Sequence, residues 1–365
     1  MSGMSLQNLS KSFANDKAIS DISFAVANGE ILVLLGRRGS GKSAILKMIA
    51  GLDMPTSGQV MLDGQDITFL AASQRNVGMM FQENALYPPL NVGENIAFPL
   101  RSQNLPKRQT DERVEDIALR LGLNEKLKLP IIDLSQSDQQ RVALARAMIK
   151  RPKALLIDQP LGEVDAYQRK QLRLELNAQL AELRTTTIYV TDEPQEAMSI
   201  ADQIAIVSEG RLEQIGTPND IYDHPLSLSI ARTIGTPTMN FLSFHSQLKQ
   251  GRKTVRLSGA TIAVPELLQT PPAPDLILGV WPEDISFDQT SKLRGRVVSS
   301  QFHGSWQIVD LETNHGPIKA RLPSEQTFQQ GDSHGLTFRN DRLTIFDRHS
   351  GAAIRSTSHK KATDG

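Results

Sequence analysis

Two short stretches hold residues whose types and spacing suit phosphate chemistry. The first, GRRGSGKS at residues 36–43, follows the apolar run EILVLLG and opens a helical pattern. A G-x-x-x-x-G-K-S motif in that setting wraps phosphates with backbone N–H groups at a helix N-terminus. We expect Lys42 to reach the β- and γ-phosphates and Ser43 to ligate Mg²⁺. The motif therefore predicts a nucleotide-binding site rather than a glycine-rich turn.

The second stretch is ALLIDQP at residues 154–160. Its apolar strand ends at Asp158, where nucleotide hydrolases often hold a Mg²⁺-organising aspartate, and many follow that aspartate with a glutamate that activates water. Here the next residue is Gln159, whose amide can orient a water molecule but cannot take its proton. The sequence thus predicts Mg-ATP binding and questions whether this site hydrolyses ATP.

Bulk composition excludes several other classes. The 365 residues suit two or three domains, and 39% are hydrophobic, as in a soluble protein with a core. The 40 basic and 40 acidic side chains cancel, so charge gives no support for nucleic-acid binding. Cysteine is absent, which excludes disulfides. No apolar run reaches the roughly 18 residues of a transmembrane helix, and the first residues do not suggest a signal peptide. A membrane role would require partner subunits.

Residues 1–235 alternate buried-strand and helix patterns, which predicts an α/β domain with a largely parallel sheet. The predicted strands are 30–36, 76–81, 154–158, 186–191 and 203–208, and the predicted helices are 42–50, 109–121, 138–150, 166–183 and 194–201. From 236 to 355 the texture changes to short alternating runs such as KTVRLS and WQIVDL, which predict a small all-β domain. Residues 356–365 are predicted to be a disordered tail.

Further segments occur in a recognisable order along the chain: MMFQENALYPPL with Gln82, LSQSDQQRVALARAM, PLGEVDA and IYVTDEPQEAM. Together with the phosphate loop they resemble the ATP-binding subunits of ABC transporters, in particular carbohydrate importers of the maltose and glycerol-3-phosphate type. The resemblance covers nearly the whole chain. In the C-terminal part LGVWPEDI is similar to a GIRPE segment of that family, with Trp281 where arginine is usual.

The resemblance implies a fold and a set of site residues. The fold would be a P-loop ABC nucleotide-binding domain over 1–235, with a RecA-like core and a helical subdomain at about 87–153. An OB-like β-barrel over 236–355 would follow it and would help the cassettes to dimerise. The ATP-binding residues would be Phe13, Gly36, Arg37, Arg38, Gly39, Ser40, Gly41, Lys42, Ser43, Ala44 and Gln82, with Phe13 stacking on adenine unless it is a core aromatic.

The remaining roles implied by the resemblance concern metal and partners. The Mg²⁺ ligands would be Ser43, Gln82 and Asp158, and the D-loop aspartate would be Asp165. The signature residues facing a partner's ATP would be Ser135, Gln136, Ser137 and Asp138. The groove that receives a coupling helix from a membrane subunit would be lined by Ala85, Leu86, Tyr87 and Pro88.

Four motifs depart from the family pattern, and all serve hydrolysis. Gln159 replaces the catalytic glutamate, Asp192 replaces the switch histidine, LSQSD replaces LSGGQ, and GEVD with Gly162 replaces SNLD. A general base contributes about 10²–10⁴-fold in rate. Asp138 is expected to repel the opposite phosphate by about 3 kcal/mol at about 5 Å. Ser135 keeps a hydroxyl that can reach that phosphate, so we expect the site it faces to retain hydrolysis.

The departures have a common interpretation. A single engineered Glu-to-Gln change would explain Gln159 but not Asp192 or LSQSD, so natural divergence is favoured over a mutation on a divergent background. ABC cassettes pair head to tail, and a homodimer of this chain would scarcely turn over. The resemblance therefore implies pairing with a catalytically complete paralogue, while this chain holds ATP as a clamp. A purely structural or regulatory ATP-binding scaffold is the alternative; a soluble ABC protein of repair or translation is disfavoured.

The resemblance also implies location, partners and cargo. The chain would bind two transmembrane permease subunits at the cytoplasmic face of the cell membrane, as a peripheral subunit, with a periplasmic or extracellular substrate-binding protein acting indirectly. The cargo would be a sugar or polyol, with a lean to glycerol because of the two unlike cassettes. Arg37 or Arg38 is expected to offset the charge of Asp192, so that replacing both by Pro-Ser would weaken nucleotide binding.

Overall fold

The computed structural model describes residues 3–12, 19–162 and 166–362, and the chain divides into two compact units, Met1–Thr217 and Pro218–Gly365. This division precedes the predicted boundary at 235, because the segment after Thr217 joins the second unit. The N–H of Leu228 donates to the carbonyl of Gly351 at 2.8 Å, for example.

The first unit contains the following elements in chain order: β1 (Gly3–Lys11), β2 (Ile19–Ala27), β3 (Ile31–Leu35), α1 (Lys42–Ala50), β4 (Ser57–Leu62), β5 (Gln65–Asp66), β6 (Val77–Met80), α2 (Val92–Ala97), α3 (Lys107–Arg120), α4 (Gln136–Met148), β7 (Ala154–Asp158), α5 (Ala166–Leu183), β8 (Thr186–Thr191), α6 (Pro194–Ile200), β9 (Gln203–Ser208) and β10 (Arg211–Gly216).

A parallel sheet organises this unit. Among the described residues its strand order is β10-β9-β3-β8-β7-β6, and each neighbouring pair is parallel except β10 with β9. Every residue of β7 and β8 is buried, as expected for strands covered on both faces. Because β3, β7 and β8 run in the same direction, the loops that follow them meet at one edge of the sheet. Those loops begin at Gly36, Gln159 and Asp192.

A second, antiparallel sheet in the described residues has the order β2-β1-β4-β5. Its buried side chains, including Leu6, Ile22 and Val60, share one hydrophobic cluster with α1 and with β3, β7, β8 and β9. The helix that carries the phosphate loop is therefore packed within the main core of the first unit.

Arg75 holds the C-terminal end of α1 by hydrogen bonds. Its Nη1 donates to the carbonyls of Met48 at 2.7 Å and Ile49 at 3.0 Å, and its Nε donates to Leu70 O at 2.9 Å. The side chain is fully buried, and this burial lowers the pKa of Arg75 while Asp66 acts in the opposite direction. A cation at the C-terminus of a helix satisfies carbonyls that lack intrahelical partners. Arg75 thus fixes the helix that positions the phosphate loop.

The helical part between β6 and β7 contains α2, α3 and α4. A capping box at Asn91 and Glu94 begins α2, and the Ser135 side chain caps α4. Short 3₁₀ turns connect the helices over Phe98–Gln103, Asn124–Lys126 and Ile131–Asp133.

The described part of the second unit begins with two short α-helices and continues with β-strands, apart from short 3₁₀ helices. Its elements are α7 (Pro218–Asp223), α8 (Leu228–Thr233), β11 (Asn240–His245), β12 (Thr254–Leu257), β13 (Ala260–Ala263), β14 (Asp275–Val280), β15 (Ile285–Phe287), β16 (Arg294–Phe302), β17 (Trp306–Thr313), β18 (Gly316–Pro323), β19 (Ser333–Phe338) and β20 (Thr344–Asp347). In the described part of the chain they form sheets of order β11-β14-β20, β12-β13 and β15-β19-β16-β17-β18.

Trp281, at the position where the family usually has arginine, is a core residue of the second unit. Its ring stacks on Tyr222 with centroids 4.0 Å apart and 9° between the planes, and its Nε1 donates to Tyr222 O at 3.0 Å. The substitution thus joins α7 to the β-domain by an aromatic contact.

The predicted disorder from residue 356 does not hold for the described residues. Thr357–Ala362 form a 3₁₀ helix, and Ser356 and His359 are buried. The N–H of Ser356 donates to His359 Nδ1 at 3.2 Å, which gives this polar segment a local partner that composition alone does not reveal. Across the described residues, no helix has both the length and the apolar character that crossing a lipid bilayer requires.

Replacing Arg75 by methionine should destabilise the first unit. The carbonyls of Ile49 and Leu70 would lose the donor that Arg75 supplies, whereas the Met48 carbonyl keeps the Gly51 N–H at 3.3 Å. We expect a cost of about 3 kcal/mol in the free energy of unfolding. Urea unfolding is followed by the helical circular dichroism signal, because the longer helices lie in the first unit. Tryptophan fluorescence would report on the second unit instead, since both tryptophans lie there. The matched control Arg108→Met removes a side chain that is 90% exposed and should change stability by less than about 0.5 kcal/mol. Equal effects of the two variants would contradict the assignment.

Candidate nucleotide-binding site

The phosphate loop, Gly36 to Ser43, follows β3, and its last two residues open α1, as the sequence predicts. Gly39 has φ 78° and Gly41 has φ 106°, which are left-handed conformations that favour glycine. A Cβ on Gly36 would lie 2.1 Å from the carbonyl oxygen of Val207, so the backbone must approach β9 closely. The glycines are therefore required by the loop conformation, independently of any ligand.

Lys42 lies inside the curve of this loop. Its Nζ donates to the carbonyls of Gly36 at 2.7 Å and Arg37 at 2.9 Å, and the residue is 3% exposed. Burial lowers the pKa of Lys42, while the carboxylates of Asp192 and Asp158 act to raise it. A buried ammonium circled by a glycine-rich loop fits the phosphates of a nucleotide.

Ser43 and Asp158 bring two oxygen ligands together. The Ser43 hydroxyl donates to Asp158 Oδ1 at 3.0 Å across the gap between α1 and β7. Burial raises the pKa of Asp158, and the Ser43 hydrogen bond acts against that shift, as do the charges of Lys47 and Lys42. Hydroxyl and carboxylate oxygens next to a phosphate site are the ligands that Mg²⁺ prefers. The pair fits that ion.

Gln82, the third predicted Mg²⁺ ligand, is exposed and has no described contact with Ser43 or Asp158. Its Nε2 lies 3.5 Å from the point that a Cβ on Gly162 would occupy. The glycine that replaces the usual D-loop serine therefore leaves space beside this amide.

The positions predicted for the catalytic base and for the switch residue meet in one small cavity. Gln159 and Asp192 both line a space of about 50 Å³, together with Gly162 and Arg38. Gln159 has φ 45°, and its N–H donates to Val190 O at 3.0 Å. The topology thus brings together the two positions that the sequence singled out, and they hold an amide and a carboxylate.

Asp192 is paired with the phosphate loop itself. Arg38 Nε donates to Asp192 Oδ2 at 3.1 Å, with the Arg38 side chain 76% exposed and the Asp192 side chain 24% exposed. The expectation that an arginine of the loop offsets the charge of Asp192 thus has a specific contact, and it is made by Arg38.

A hydrogen-bonded turn supports Asp192, and sequence reasoning missed it. The Thr191 hydroxyl donates to the carboxyl of Glu196 and accepts the N–H of Glu193 at 3.0 Å. Glu196 is 2% exposed, and burial raises its pKa. Glu193 in turn pairs with Arg169 of α5. The segment TDEPQE therefore has little freedom, although its composition is typical of an exposed loop.

In the signature segment, the charge of Asp138 is arranged differently from the sequence-based expectation. Asp138 was expected to present its negative charge to the opposite phosphate, but its carboxylate lies 2.6 Å from Lys126 Nζ and its side chain is 10% exposed. Ser135 Oγ donates to the same carboxylate at 2.8 Å and accepts the Asp138 N–H at 3.1 Å. Burial acts to raise the pKa of Asp138, but the hydrogen bonds from Lys126 and Ser135 bring it below its ordinary value. The charge is thus compensated within the chain.

The other signature residues are divided between solvent and α5. Gln136 is exposed, whereas the Ser137 hydroxyl donates to Glu175, which also pairs with Arg141 Nη2 at 3.0 Å. These contacts tie the start of α4 to α5. The S-x-x-D pattern is a capping signal readable in the sequence, but nothing there indicates Lys126 or Glu175.

The segment predicted to line a groove for a membrane subunit is held in place by Arg146 and Asn95. Arg146 donates to Ala85 O at 2.7 Å and lies 5.3 Å from the ring centroid of Tyr87. The buried amide of Asn95 accepts the Tyr87 N–H at 2.8 Å and donates to its carbonyl at 3.1 Å. Tyr87 remains 40% exposed, Pro88 is exposed and Leu86 is half-buried. Phe13 and Asp165 lie outside the described residues.

Comparisons with known proteins agree with this geometry. The sequence model of the ABC transporter family matches residues 19–162, and that of the TOBE domain matches residues 278–346. Two solved structures resemble the chain: cbiO1 from Clostridium perfringens, part of the complex cbiONQ (TM-score 0.54, 24% identity, 60% of this chain and 90% of that one), and the dimeric ABC transporter cassette MJ0796 (TM-score 0.51, 27% identity, 59% and 98%). The fold is an ABC nucleotide-binding cassette with a C-terminal OB-like all-β domain.

Among curated proteins, the trehalose/maltose import ATP-binding protein MalK of Thermococcus litoralis is 35% identical over 372 residues, covering 97% of this chain and 100% of that protein. The sn-glycerol-3-phosphate import ATP-binding protein UgpC of Cereibacter sphaeroides is 39% identical over 285 residues, covering 78% and 79%. The chain belongs to this family, the ATP-binding subunits of carbohydrate-importing ABC transporters with a TOBE domain. Such subunits use ATP with Mg²⁺ and work with transmembrane permeases and a substrate-binding protein.

Replacing Lys126 by alanine should leave the Asp138 carboxylate with one fewer partner. We expect a loss of about 1 kcal/mol in the free energy of unfolding, since Lys126 is partly exposed and solvent screens the pair. The matched control is Lys128→Ala, because Lys128 is exposed on the same segment. Combining Lys126→Ala with Asp138→Asn should recover part of the loss in a double-mutant cycle. Strict additivity of the two changes would refute the compensation.

Proposed function

We propose that this chain is an energy-coupling subunit that binds Mg-ATP at its own phosphate loop, hydrolyses little or none of it there, and pairs with a catalytically complete paralogue. One observation carries the proposal. The proposed Mg²⁺ ligands Ser43 and Asp158 are in hydrogen-bond contact, while a nearby cavity is lined by Gln159 and Asp192, at the positions proposed for the base and the switch histidine.

ATP binding is supported by the loop and its lysine. Gly36 to Ser43 would hold the phosphates through backbone N–H groups and through Lys42. Ser43 and Asp158 would hold Mg²⁺. Gln82 remains the proposed third Mg²⁺ ligand. Mg²⁺ supplies charge neutralisation to the phosphates when bound. Phe13 remains the proposed adenine contact and Asp165 the proposed D-loop aspartate.

Weak hydrolysis at this loop follows from the chemistry of the two substituted residues. Water needs a proton acceptor as it attacks the γ-phosphate, and the Gln159 amide cannot accept that proton. Asp192 as a carboxylate cannot donate to the phosphate. Loss of the base alone removes about 10²–10⁴-fold in rate, or about 3–5 kcal/mol of transition-state stabilisation. The site is suited to hold ATP as a clamp.

Pairing with an unlike cassette is supported by the state of the signature segment. A partner with its own base and histidine would place its ATP opposite Ser135, Gln136, Ser137 and Asp138. Because Lys126 compensates Asp138, this segment would not repel that phosphate as strongly as its sequence suggests. Ser135 would need to release Asp138 Oδ2 to donate to it. We therefore place most hydrolysis at the partner's loop.

The other proposed partners follow from the family. The segment Ala85–Pro88, with Arg146 and Asn95 beneath it, would receive a coupling helix from a permease subunit at the cytoplasmic face of the cell membrane. The cargo would be a sugar or polyol, in line with the names of the relatives. The lean to glycerol or a related polyol rests on the proposed pairing of two unlike cassettes.

A structural or regulatory scaffold, with no hydrolysis at either composite site, is the second candidate, favoured by the engagement of Ser135 with Asp138. ATPase activity of the assembled transporter separates the two. Mutation of the partner's catalytic glutamate should abolish activity under our proposal, provided that the intact transporter is active. An inactive intact transporter would favour the scaffold.

Purified chain should bind Mg-ATP and show almost no ATPase activity. The double variant Gln159→Glu with Asp192→His restores the base and the switch histidine, and it should raise the ATPase rate at least about 10-fold above the parent. Phosphate release measures the rate, and nucleotide binding is followed in parallel. Lys42→Ala in the restored background is the control, and it should lose both binding and turnover. Turnover of the unaltered chain at the level of the restored variant would sink the proposal.

A further inference from the structure

Arg38 is an unusual feature of this phosphate loop, because it carries a cation to the cavity where the switch residue lies. Its Nε donates to Asp192 Oδ2 at 3.1 Å, and both side chains line the cavity that also contains Gln159. Arg37, its neighbour, is exposed and does not line that cavity. The structure therefore distinguishes two arginines that the sequence left equivalent.

The guanidinium is oriented and still has donors to offer. Asp192 binds only Nε, and among residues 3–12, 19–162 and 166–362 neither Nη group of Arg38 has a hydrogen-bond partner. The backbone that carries Asp192 is held by Thr191, which bonds both Glu193 N–H and the buried Glu196. An arginine whose Nε is anchored presents its remaining N–H groups as a planar fork, a geometry that suits phosphate oxygens.

The surroundings of the pair indicate which phosphate it would meet. Asp192 is close enough to Lys42 to act on its pKa, and Lys42 is the residue that reaches the β- and γ-phosphates in such loops. Gln159, at the proposed position of the catalytic base, would lie beside the γ-phosphate, and it shares the cavity with Arg38. The pair thus lies at the γ-phosphate end of the site.

We propose that Arg38, oriented by Asp192, contacts the γ-phosphate of ATP bound at this chain's own loop and takes over the donor role lost with the switch histidine. Asp192 is then a positioning residue, and its negative charge is neutralised by the cation it holds. The inference rests on the proposed function for ATP binding by residues 36–43 and for the roles proposed at Gln159 and Asp192. The ion pair with Arg38 explains how the Asp192 carboxylate is tolerated next to the γ-phosphate.

The test is nucleotide discrimination by the full chain in the presence of Mg²⁺. The dissociation constants of AMP-PNP, which keeps a γ-phosphoryl group and resists hydrolysis, and of ADP are measured by calorimetry. Arg38→Ala should weaken AMP-PNP binding roughly 10-fold, as loss of a charge-assisted hydrogen bond does, and change ADP binding less than about 2-fold. Arg37→Ala, the matched control, should leave the ratio of the two constants unchanged, whatever its effect on each.

A second variant separates contact with phosphate from a structural role. In Asp192→His the family's donor is restored, so adding Arg38→Ala to that background should change the ratio less than about 2-fold. An equal change of both constants in Arg38→Ala, or the same ratio change with and without Asp192→His, would overturn the inference. A parent chain that binds both nucleotides equally would overturn it too. High ATPase activity of the isolated chain would refute the proposed function but leave this ratio test unaffected.

Discussion

The parallel pairing of β3, β8 and β7 is the constraint on which the site depends. In-register pairing of Leu35 with Thr191, and of Asp158 with Val190, fixes the ends of the three strands beside one another. The phosphate loop, Asp158 as the proposed Mg²⁺ ligand and Asp192 at the proposed switch position therefore lie next to one another. The identities of residues 159 and 192 do not affect this framework, because Gln159 and Asp192 lie beyond the strand ends and are not among the buried side chains. Chemistry can therefore diverge while nucleotide binding persists.

A second feature of the structure is charge compensation by ion pairs. Two carboxylates at positions where the resemblance implies other residues have a cation of the same chain beside them, Arg38 for Asp192 and Lys126 for Asp138. Neither cation is near its partner in sequence, so each pair exists only through the fold. An isolated carboxylate at either place would oppose a triphosphate, whereas a paired one imposes a smaller penalty. This pattern fits a chain that has kept its ligand while changing its catalytic groups.

Much of the fold and of the phosphate-loop site could be predicted from the sequence, for physical reasons. The buried strands 154–158 and 186–191 have the predicted bounds, because ALLID and TTIYVT are short runs rich in apolar and β-branched residues, which favour strands within an α/β pattern. The strands β1, β2, β4 and β5 were not predicted. The pairs β1–β2 and β4–β5 are local, but the pairing of β1 with β4 that joins them into one sheet links segments distant in sequence. Phosphate-loop residues were found by spacing. Lys126, Glu196 and Arg75 were not, since their roles come from tertiary contacts alone.

The central claim is that this chain holds ATP without splitting it. The most direct measurement follows the nucleotide on this chain during turnover of the assembled transporter. A photoreactive ATP analogue, labelled in either the α- or the γ-phosphate, is cross-linked after several cycles. The account predicts that this chain retains the γ label in the same proportion as the α label, while the partner cassette loses it. Loss of the γ label from this chain at the partner's rate would contradict the account.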